Sequence, residues 1–261
     1  MWVFCILRLK RVNLYDMQKD KVKILILAAG KGTRMQSELP KVLVPLHGKA
    51  MIKHVLDEIS KLHSDKAYSI VGHKSDMVKE ELGDLCNYII QEEQLGTGHA
   101  VLCAKNIVDA ENIIVLSGDQ PFISSDTIKK LIDTHINSNA KITLTTTTLP
   151  DFESWHKNFL RYGRILRNDG EIIGMREYKD ASEEEKNIHE VNVGAYAFEA
   201  NWLWKNLEQI KNENAQSEYY LTDLVKIAKE EGEKIASIEV HGKEALGANS
   251  KEELEVLENF A

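Results

Sequence analysis

At 261 residues the chain is long enough to bury a substantial core, as one large α/β domain or two small ones. With 43% hydrophobic and 28% charged residues and only 4 Pro and 15 Gly, its composition excludes a disordered body. A formal net charge of −8, with Lys and Arg scattered among acids, argues against a surface that neutralises a nucleic-acid backbone. Cys5, Cys86 and Cys103 are odd in number and lack Cys-x-x-Cys spacing, so neither a disulfide framework nor a zinc knuckle is suggested, and the cytosol fits. No apolar stretch approaches the roughly 18 to 20 residues of a membrane-spanning helix.

The opening Met1-Trp2-Val3-Phe4-Cys5-Ile6-Leu7 is apolar, but Arg8, Lys10 and Arg11 follow it, the wrong order for a signal peptide. Met17, before Gln18-Lys19-Asp20-Lys21, reads as a natural start. Residues 1–16 are therefore expected to be an upstream extension or a short disordered arm, and residues 17–261 the working domain. From Val22 onward, apolar runs of strand length alternate with longer helical patterns, as in βαβ units around a mainly parallel sheet. The first strand is expected at 22–27, followed by a glycine-rich turn. A helix follows over 50–62, where Met51, Ile52, Val55, Leu56, Ile59 and Leu62 recur at helical spacing. Further strands are expected at 66–71, 88–90, 113–116 and 142–147, with helices near 77–82, 98–105 and 126–135. Together they predict a doubly wound α/β fold.

After Leu149-Pro150 the pattern changes. Short segments at 163–167 and 171–175 flank Asn168-Asp169-Gly170, a hairpin-type turn, and a longer apolar segment follows at 191–198. Residues 151–200 read as a β-rich elaboration over the mouth of the sheet, too short and too poor in linker chemistry for a separate domain. Within them, Glu183-Glu184-Glu185-Lys186 reads as a solvated helical face. Helix, strand and helix return at 220–230, 235–240 and 251–260.

Leu27-Ala28-Ala29-Gly30-Lys31-Gly32-Thr33-Arg34-Met35 follows the first strand directly, and its small residues let backbone N–H groups approach a nucleotide closely. It lacks the spacing of a Walker A loop. It also fails the dinucleotide fingerprint, because Met35 stands where a third small residue belongs. Pro40-Lys41-Val42-Leu43 comes shortly after Arg34, so one loop offers two cations suited to a triphosphate, Arg34 as a fork and Lys41 as a mobile point charge. Taken alone, the turn is equally a tight βα turn with solvated Lys and Arg. The combination is far more specific than either part.

These two stretches resemble the signature of the sugar-phosphate nucleotidyltransferases. Within that family the chain most resembles the uridylyltransferase domain of the bifunctional bacterial N-acetylglucosamine-1-phosphate uridylyltransferase/glucosamine-1-phosphate acetyltransferase. The resemblance runs from about Val22 to the C-terminus. It is carried further by Gln91-Glu92-Glu93-Gln94-Leu95-Gly96-Thr97-Gly98-His99-Ala100, Gly118-Asp119, Tyr162-Gly163-Arg164-Ile165, Glu177-Tyr178-Lys179-Asp180-Ala181, and Asn214-Ala215-Gln216-Ser217-Glu218-Tyr219-Tyr220-Leu221-Thr222-Asp223.

The resemblance implies a Rossmann-like nucleotidyltransferase fold and in-line attack of a sugar 1-phosphate oxygen on the α-phosphorus of UTP, with pyrophosphate leaving. It assigns the nucleotide to Leu27, Ala28, Ala29, Gly30, Gln91, Gly96 and Thr97, with the Gln91 amide able to read a pyrimidine edge as donor and acceptor. Arg34 and Lys41 would offset charge on the pyrophosphate, and Asp119 and Asn249 would hold Mg²⁺. Asp119 follows an apolar strand and so belongs at the carboxyl end of the sheet, where a hard oxygen ligand suits that ion. Gly118, Gly163, Glu177 and Asn192 match positions that line the sugar pocket. UTP and a hexosamine 1-phosphate are the partners implied, with no nucleic acid and no membrane, in the cytoplasm. Two residues keep alternative readings: Thr97 as a cap of the helix from 98, and Asn249 as N-cap of the helix over 251–260. His99 reads as a packing or helix-start contact, since the chemistry needs no histidine.

Three positions depart from the family pattern. Ser117 stands where Tyr is common before Gly-Asp, Val193 replaces Thr after Asn192, and the connection over 151–161 is longer than usual. All three are expected near the sugar side. The chain ends at Ala261 without the hexapeptide-repeat β-helix of the bifunctional enzymes, so acetyl transfer and the trimer which that β-helix forms are not carried over.

Overall fold

The structure, a computed structural model, describes residues 21–35, 37–62 and 65–260. The arm expected at 1–16 lies outside the described residues. None of the described helices is long and apolar enough to cross a membrane.

Strand β1 (Val22–Ala28) is apolar at almost every position because both of its faces are covered. Ile24 and Ile26 point into one core cluster and Leu25 into the other, as the strand's period of two requires. The same logic gives β4 (Tyr68–Val71), β5 (Asn87–Ile90) and β6 (Asn112–Ser117). β1 pairs in parallel with β4 and β6, and β4 in parallel with β5. Between them come α1 (Met51–Ser60), α2 (Ser75–Leu82) and α3 (Thr97–Leu102), with a two-strand ribbon, β2 (Pro45–Leu46) and β3 (Lys49–Ala50), ahead of α1. α4 (Ser125–Ser138), capped by the Ser124 hydroxyl accepting from the Thr127 amide, leads into β7 (Ile142–Thr148).

The later chain adds the hairpin β8 (Arg164–Asn168) and β9 (Glu171–Arg176), the short α5 (Glu183–Lys186), and the long β10 (Glu190–Glu199). It closes with α6 (Ala200–Leu207), α7 (Asp223–Glu230), β11 (Ile235–Glu239) and α8 (Lys251–Glu258). The sheet order is β11-β7-β10-β6-β1-β4-β5, with β8 paired to β10 and β9 to β8. The expected doubly wound, mainly parallel sheet is present. Its antiparallel parts are β10, which runs between β6 and β7 and joins the two halves, and the β8–β9 hairpin that pairs with β10 through β8. α1, α2, α4 and α8 cover one face, and α3, α6 and α7 the other.

Two differences from the sequence reading have local causes. α6 follows β10 without a breaker, so the apolar run concealed it; the Glu199 carboxylate caps it by accepting from the Asn201 and Trp202 amides. α7 begins at Asp223, not at 220, because residues 219–221 run along the Gly96–Gly98 turn and hydrogen-bond there.

Candidate active site

The register Leu27↔Ser117 and Ala28↔Val71 puts the carboxyl ends of β1, β4 and β6 side by side. Three loops therefore open onto one edge, which is where open α/β sheets bind ligands. In the first loop, a side chain at Gly30 would meet nothing within 4 Å, so the backbone faces open space. Gly32 has φ +60, and a Cβ there would lie 2.7 Å from the Lys41 Cβ. Only glycine allows that approach. Met35, 2% exposed, and its amide bond to the Gly32 carbonyl (2.9 Å) anchor the far side of the turn.

Lys41 opens a one-turn 3-10 helix after Pro40, held down by the buried Val42 and Leu43. Its ammonium donates to Asp119 Oδ2 (2.5 Å) and to Asn249 Oδ1 (2.9 Å). Asp119 leaves the end of β6 through Gly118, whose amide donates to the Leu27 carbonyl (3.0 Å). A Cβ at 118 would press within 3.1 Å of that carbonyl and of Val42. Gly118, expected on the sugar side, thus packs beneath the glycine loop. Asn249 arrives from the far end of the chain, secured by Ala248 N–H to the Asp119 carbonyl (3.3 Å) and by its own amide to Glu253 Oε2 (2.6 Å). The cap of α8 is Ser250, whose hydroxyl accepts from the Glu253 amide, which leaves the Asn249 side chain free for Lys41.

Gln91, 3% exposed, lies past β5, its amide bound to the Val71 carbonyl (2.8 Å). Its Nε2 donates to the Gly96 carbonyl (3.2 Å) and lies 3.0 Å from His99 Nδ1. His99 is therefore a helix-start contact that orients the Gln91 amide. Gly96 has φ +112, and a Cβ there would sit 2.6 Å from the Tyr219 carbonyl. The turn is sewn to 219–221 by Gly98 N–H to Tyr219 O (2.8 Å), Tyr219 N–H to Leu95 O (2.8 Å), and the Leu221 amide to Thr97 Oγ1 (3.0 Å). Thr97 spends its hydroxyl on this contact and makes no cap for α3.

Together these residues line a cleft of about 570 Å³ whose walls include Leu27, Ala28, Ala29 and Gly30 on one side and Gln91, Gly96 and Thr97 on the other. Lys41, Ser117 and Asp119 lie in the same walls. The sequence reading passed over Gly72, which follows β4. A Cβ there would fall 2.7 Å from Gln94 Nε2 and 3.1 Å from the Ala29 Cβ, so a side chain at this position would crowd both walls. Its signal was available: it is a glycine directly after a buried strand.

Gly163, Glu177 and Asn192, three of the four residues expected at the sugar, do not line that cleft. Asn192, on β10, donates its amide N–H to the Gly163 carbonyl (2.9 Å) and its Nδ2 to the Tyr196 hydroxyl (2.5 Å). Glu177, after β9, accepts from the Thr222 hydroxyl (2.9 Å). Burial pushes the Glu177 carboxyl above its ordinary pKa, against the lowering effect of Thr222 and with help from Asp180, Asp223 and Glu218. Glu177, Tyr220, Thr222 and Asp223 line a second cavity of about 490 Å³. The roles of Tyr196 and Thr222 were not read from sequence. Glu183-Glu184-Glu185-Lys186 is α5, begun by a capping box between Ser182 and Glu185.

Asp119 and Asn249 thus present a carboxylate and an amide oxygen to one cation, the Lys41 ammonium. Two hard oxygen donors converging on a point fit Mg²⁺, which takes one or two protein ligands and completes its shell with water and phosphate oxygens. Among the described residues no group of three or more His, Cys, Asp and Glu could hold a metal, so any ion here depends on the amide and on substrate oxygens.

Residues 24–162 match the model of the MobA-like NTP transferase domain. The chain is 45% identical over 231 residues to the Bifunctional protein GlmU of Shouchella clausii, covering 87% of this chain and 49% of that one. It is 42% identical to the Bifunctional protein GlmU of Desulfotalea psychrophila, covering 91% of this chain and 69% of that one. The chain spans about half the length of most of the curated relatives it matches. Among solved structures, a UDP-glucose pyrophosphorylase complexed with UDP-glucose superposes with a TM-score of 0.71 over 92% of this chain and 98% of the other. At 18% identity that likeness speaks for the fold alone. The resemblance drawn from the motifs is borne out.

Proposed function

The chain belongs to the MobA-like NTP transferase family, and on that footing we propose that it transfers UMP from UTP to a hexosamine 1-phosphate, N-acetylglucosamine 1-phosphate first among them, releasing pyrophosphate. The observation that carries this reading is the meeting of Lys41, Asp119 and Asn249 at the mouth of a cleft floored by glycine-loop backbone. That is the charge pattern a nucleoside triphosphate requires.

In the proposed reaction the Gln91 amide, held by His99 and the Gly96 carbonyl, reads the base, and the open backbone at Gly30 lies along the phosphates. Asp119 and Asn249 would hold Mg²⁺, which when bound supplies charge neutralisation to the phosphate oxygens. Lys41 and Arg34 offset the charge that grows on the departing pyrophosphate. The sugar 1-phosphate is already ionised, so positioning suffices and no side chain need take a proton. Gly163, Glu177 and Asn192 are the proposed sugar contacts, and the cytoplasm is the proposed compartment.

A turnover assay with UTP, Mg²⁺ and a panel of hexose and hexosamine 1-phosphates, following pyrophosphate release, tests the proposal. N-acetylglucosamine 1-phosphate should give the highest kcat/KM, and UTP should exceed CTP, ATP and GTP. Ser117 and Val193 make the acceptor the part of the reading most worth varying. Absence of release across the panel would reject the reaction, and a preference for another base would reject the uridylyl assignment.

A further inference from the structure

Asp119, Asn249 and Asn192 come from separate stretches of the chain, and one buried side chain reaches all of those stretches. Gln120 directly follows Asp119 and is 6% exposed. Its Nε2 donates to the Val193 carbonyl (2.5 Å) on β10 and to the Ala245 carbonyl (3.3 Å) in the loop that delivers Asn249. Its Oε1 has no donor among the described residues, so what Gln120 holds, it holds through its two N–H groups.

Both carbonyls stand where regular pairing has stopped. The register of β10 against β7 shifts between Asn192 and Tyr196, and residues 193–195 lie outside the registers with both β7 and β6. Gly194, at φ +92, bends the strand within that bulge. The Val193 carbonyl therefore takes its donor from a side chain instead of a ladder. The Asn192 side chain is fastened to the same bulge: its Oδ1 accepts from the Gly194 amide (3.1 Å), and its Nδ2 donates to the Tyr196 hydroxyl (2.5 Å). On the other side, residues 245–249 press against the end of β6. A Cβ at Gly247 would fall 3.1 Å from the Asp119 carbonyl and 3.2 Å from Gln120 Cγ. The Tyr162 hydroxyl also donates to the Ala245 carbonyl (3.0 Å).

We infer that Gln120 is a positioning residue. By tying the Ala245 and Val193 carbonyls to the neighbour of Asp119, it sets the spacing of the Asp119 and Asn249 oxygens and keeps the strand that carries Asn192 in step with them. Mg²⁺ demands near-octahedral geometry, so ligands brought together from positions 119 and 249 depend on whatever fixes their separation. One side chain thus governs both metal ligation and acceptor placement. The inference rests on the reading of Asp119 and Asn249 as the metal pair of a nucleotidyl transfer.

The test compares wild type with Gln120→Met, which keeps the length and removes both donors, and with Tyr162→Phe, which takes one donor from Ala245 and leaves Gln120 in place. UTP is titrated calorimetrically into each full chain, in Mg²⁺ and again in EDTA. Gln120→Met should lose about tenfold or more in UTP affinity with Mg²⁺ and stay within about twofold of wild type in EDTA, because Gln91, Gly96 and Thr97 are untouched. In turnover its kcat should fall and its KM for N-acetylglucosamine 1-phosphate should rise, both by more than in Tyr162→Phe. Gln120→Asn, one methylene too short to reach both carbonyls, should show the same pattern and decides the matter if the Met variant does not fold.

Equal losses of UTP affinity with and without Mg²⁺ overturn the inference, since that is what general loosening of the cleft would give. An Mg²⁺-dependent gain unchanged in the Gln120 variants overturns it too, as does an equal selective loss in Tyr162→Phe. A wild type whose UTP affinity ignores Mg²⁺ removes the metal reading, and the inference with it. Selective loss of the Mg²⁺ gain in a chain that turns over no sugar phosphate supports the positioning role and rejects only the reaction.

Discussion

The cleft at the carboxyl ends of β1 and β6, proposed to take the nucleotide, is made largely of backbone. Gly30, Gly32, Gly72, Gly96 and Gly118 let loops approach one another at distances a Cβ would forbid or leave main chain open to the cleft. Beyond Pro150 the construction is different: the proposed sugar contacts and the segment before them depend on groups that meet from distant parts of the sequence, such as Glu177 with Thr222 and Arg164 with the Lys186 carbonyl. A backbone site tolerates little change in shape. A side-chain site can be altered one residue at a time, and the departures at Val193 and over 151–161 lie there. The difference teaches where members of one family can diverge without losing the shared chemistry.

The harshest trial of the first region is Asp119→Ala. Pyrophosphate release in Mg²⁺ should fall about 10³-fold, with the melting curve little moved because the carboxylate sits at a cleft wall. Near-normal turnover would remove the proposed metal and phosphate centre. In the second region, Arg164→Met should cost about 3 kcal/mol in urea unfolding, because the carbonyls of Leu160 and Lys186 lose a buried donor. A loss under about 1 kcal/mol would mean that packing of Phe152, Trp155 and Phe159 holds the segment without it.

Gly96→Ala sharpens the backbone claim. With φ +112 and the Tyr219 carbonyl in the way, it should cost about 2 kcal/mol and raise the KM for UTP. Gly30→Ala, where a Cβ meets nothing within 4 Å, should stay within about 0.5 kcal/mol in stability. Equal penalties at the two positions would undo the distinction. The smallest effect is expected at Glu177→Gln. Burial raises the Glu177 pKa in the folded chain, so the folded state binds more protons than the unfolded one between the ordinary glutamate value and the raised one. Wild-type stability should therefore decline as pH climbs through that window, and the variant should lack the decline. Parallel melting-temperature profiles would show that the carboxylate is better solvated than its surroundings imply.

The legible parts of the molecule were those governed by short spacing. The strands read from apolar runs, Gly30 and Asp119 stood just past the ends of β1 and β6, and Arg34 and Lys41 gained meaning only from standing together in the loop after β1. Asn249 was legible only through resemblance, because nothing local to Leu246-Gly247-Ala248 says that it will meet Lys41. The contact of His99 with Gln91 depends on the register of α3 against β5. The contact of Trp155 with Phe260 was not legible either, because no local pattern reveals a partner so far along the chain. α6 was missed because its cap, Glu199, is an uncommon capping residue inside an apolar stretch.

The place of β10 also governs how the chain can assemble as it leaves the ribosome. β1, β4, β5 and β6 pair only with one another until Glu190–Glu199 exists, so residues 22–117 can form a partial sheet early. β7 is then an orphan, since its neighbours are β10 and β11, both made later. Its Ile142, Thr143, Leu144 and Thr145, buried in the finished fold, must wait exposed for more than forty residues of synthesis, a wait of the order of seconds at typical elongation rates. Nascent chains halted before residue 190 should be cut by protease within β7 while β1 to β6 resist, and a chaperone that binds apolar strands should favour that same stretch.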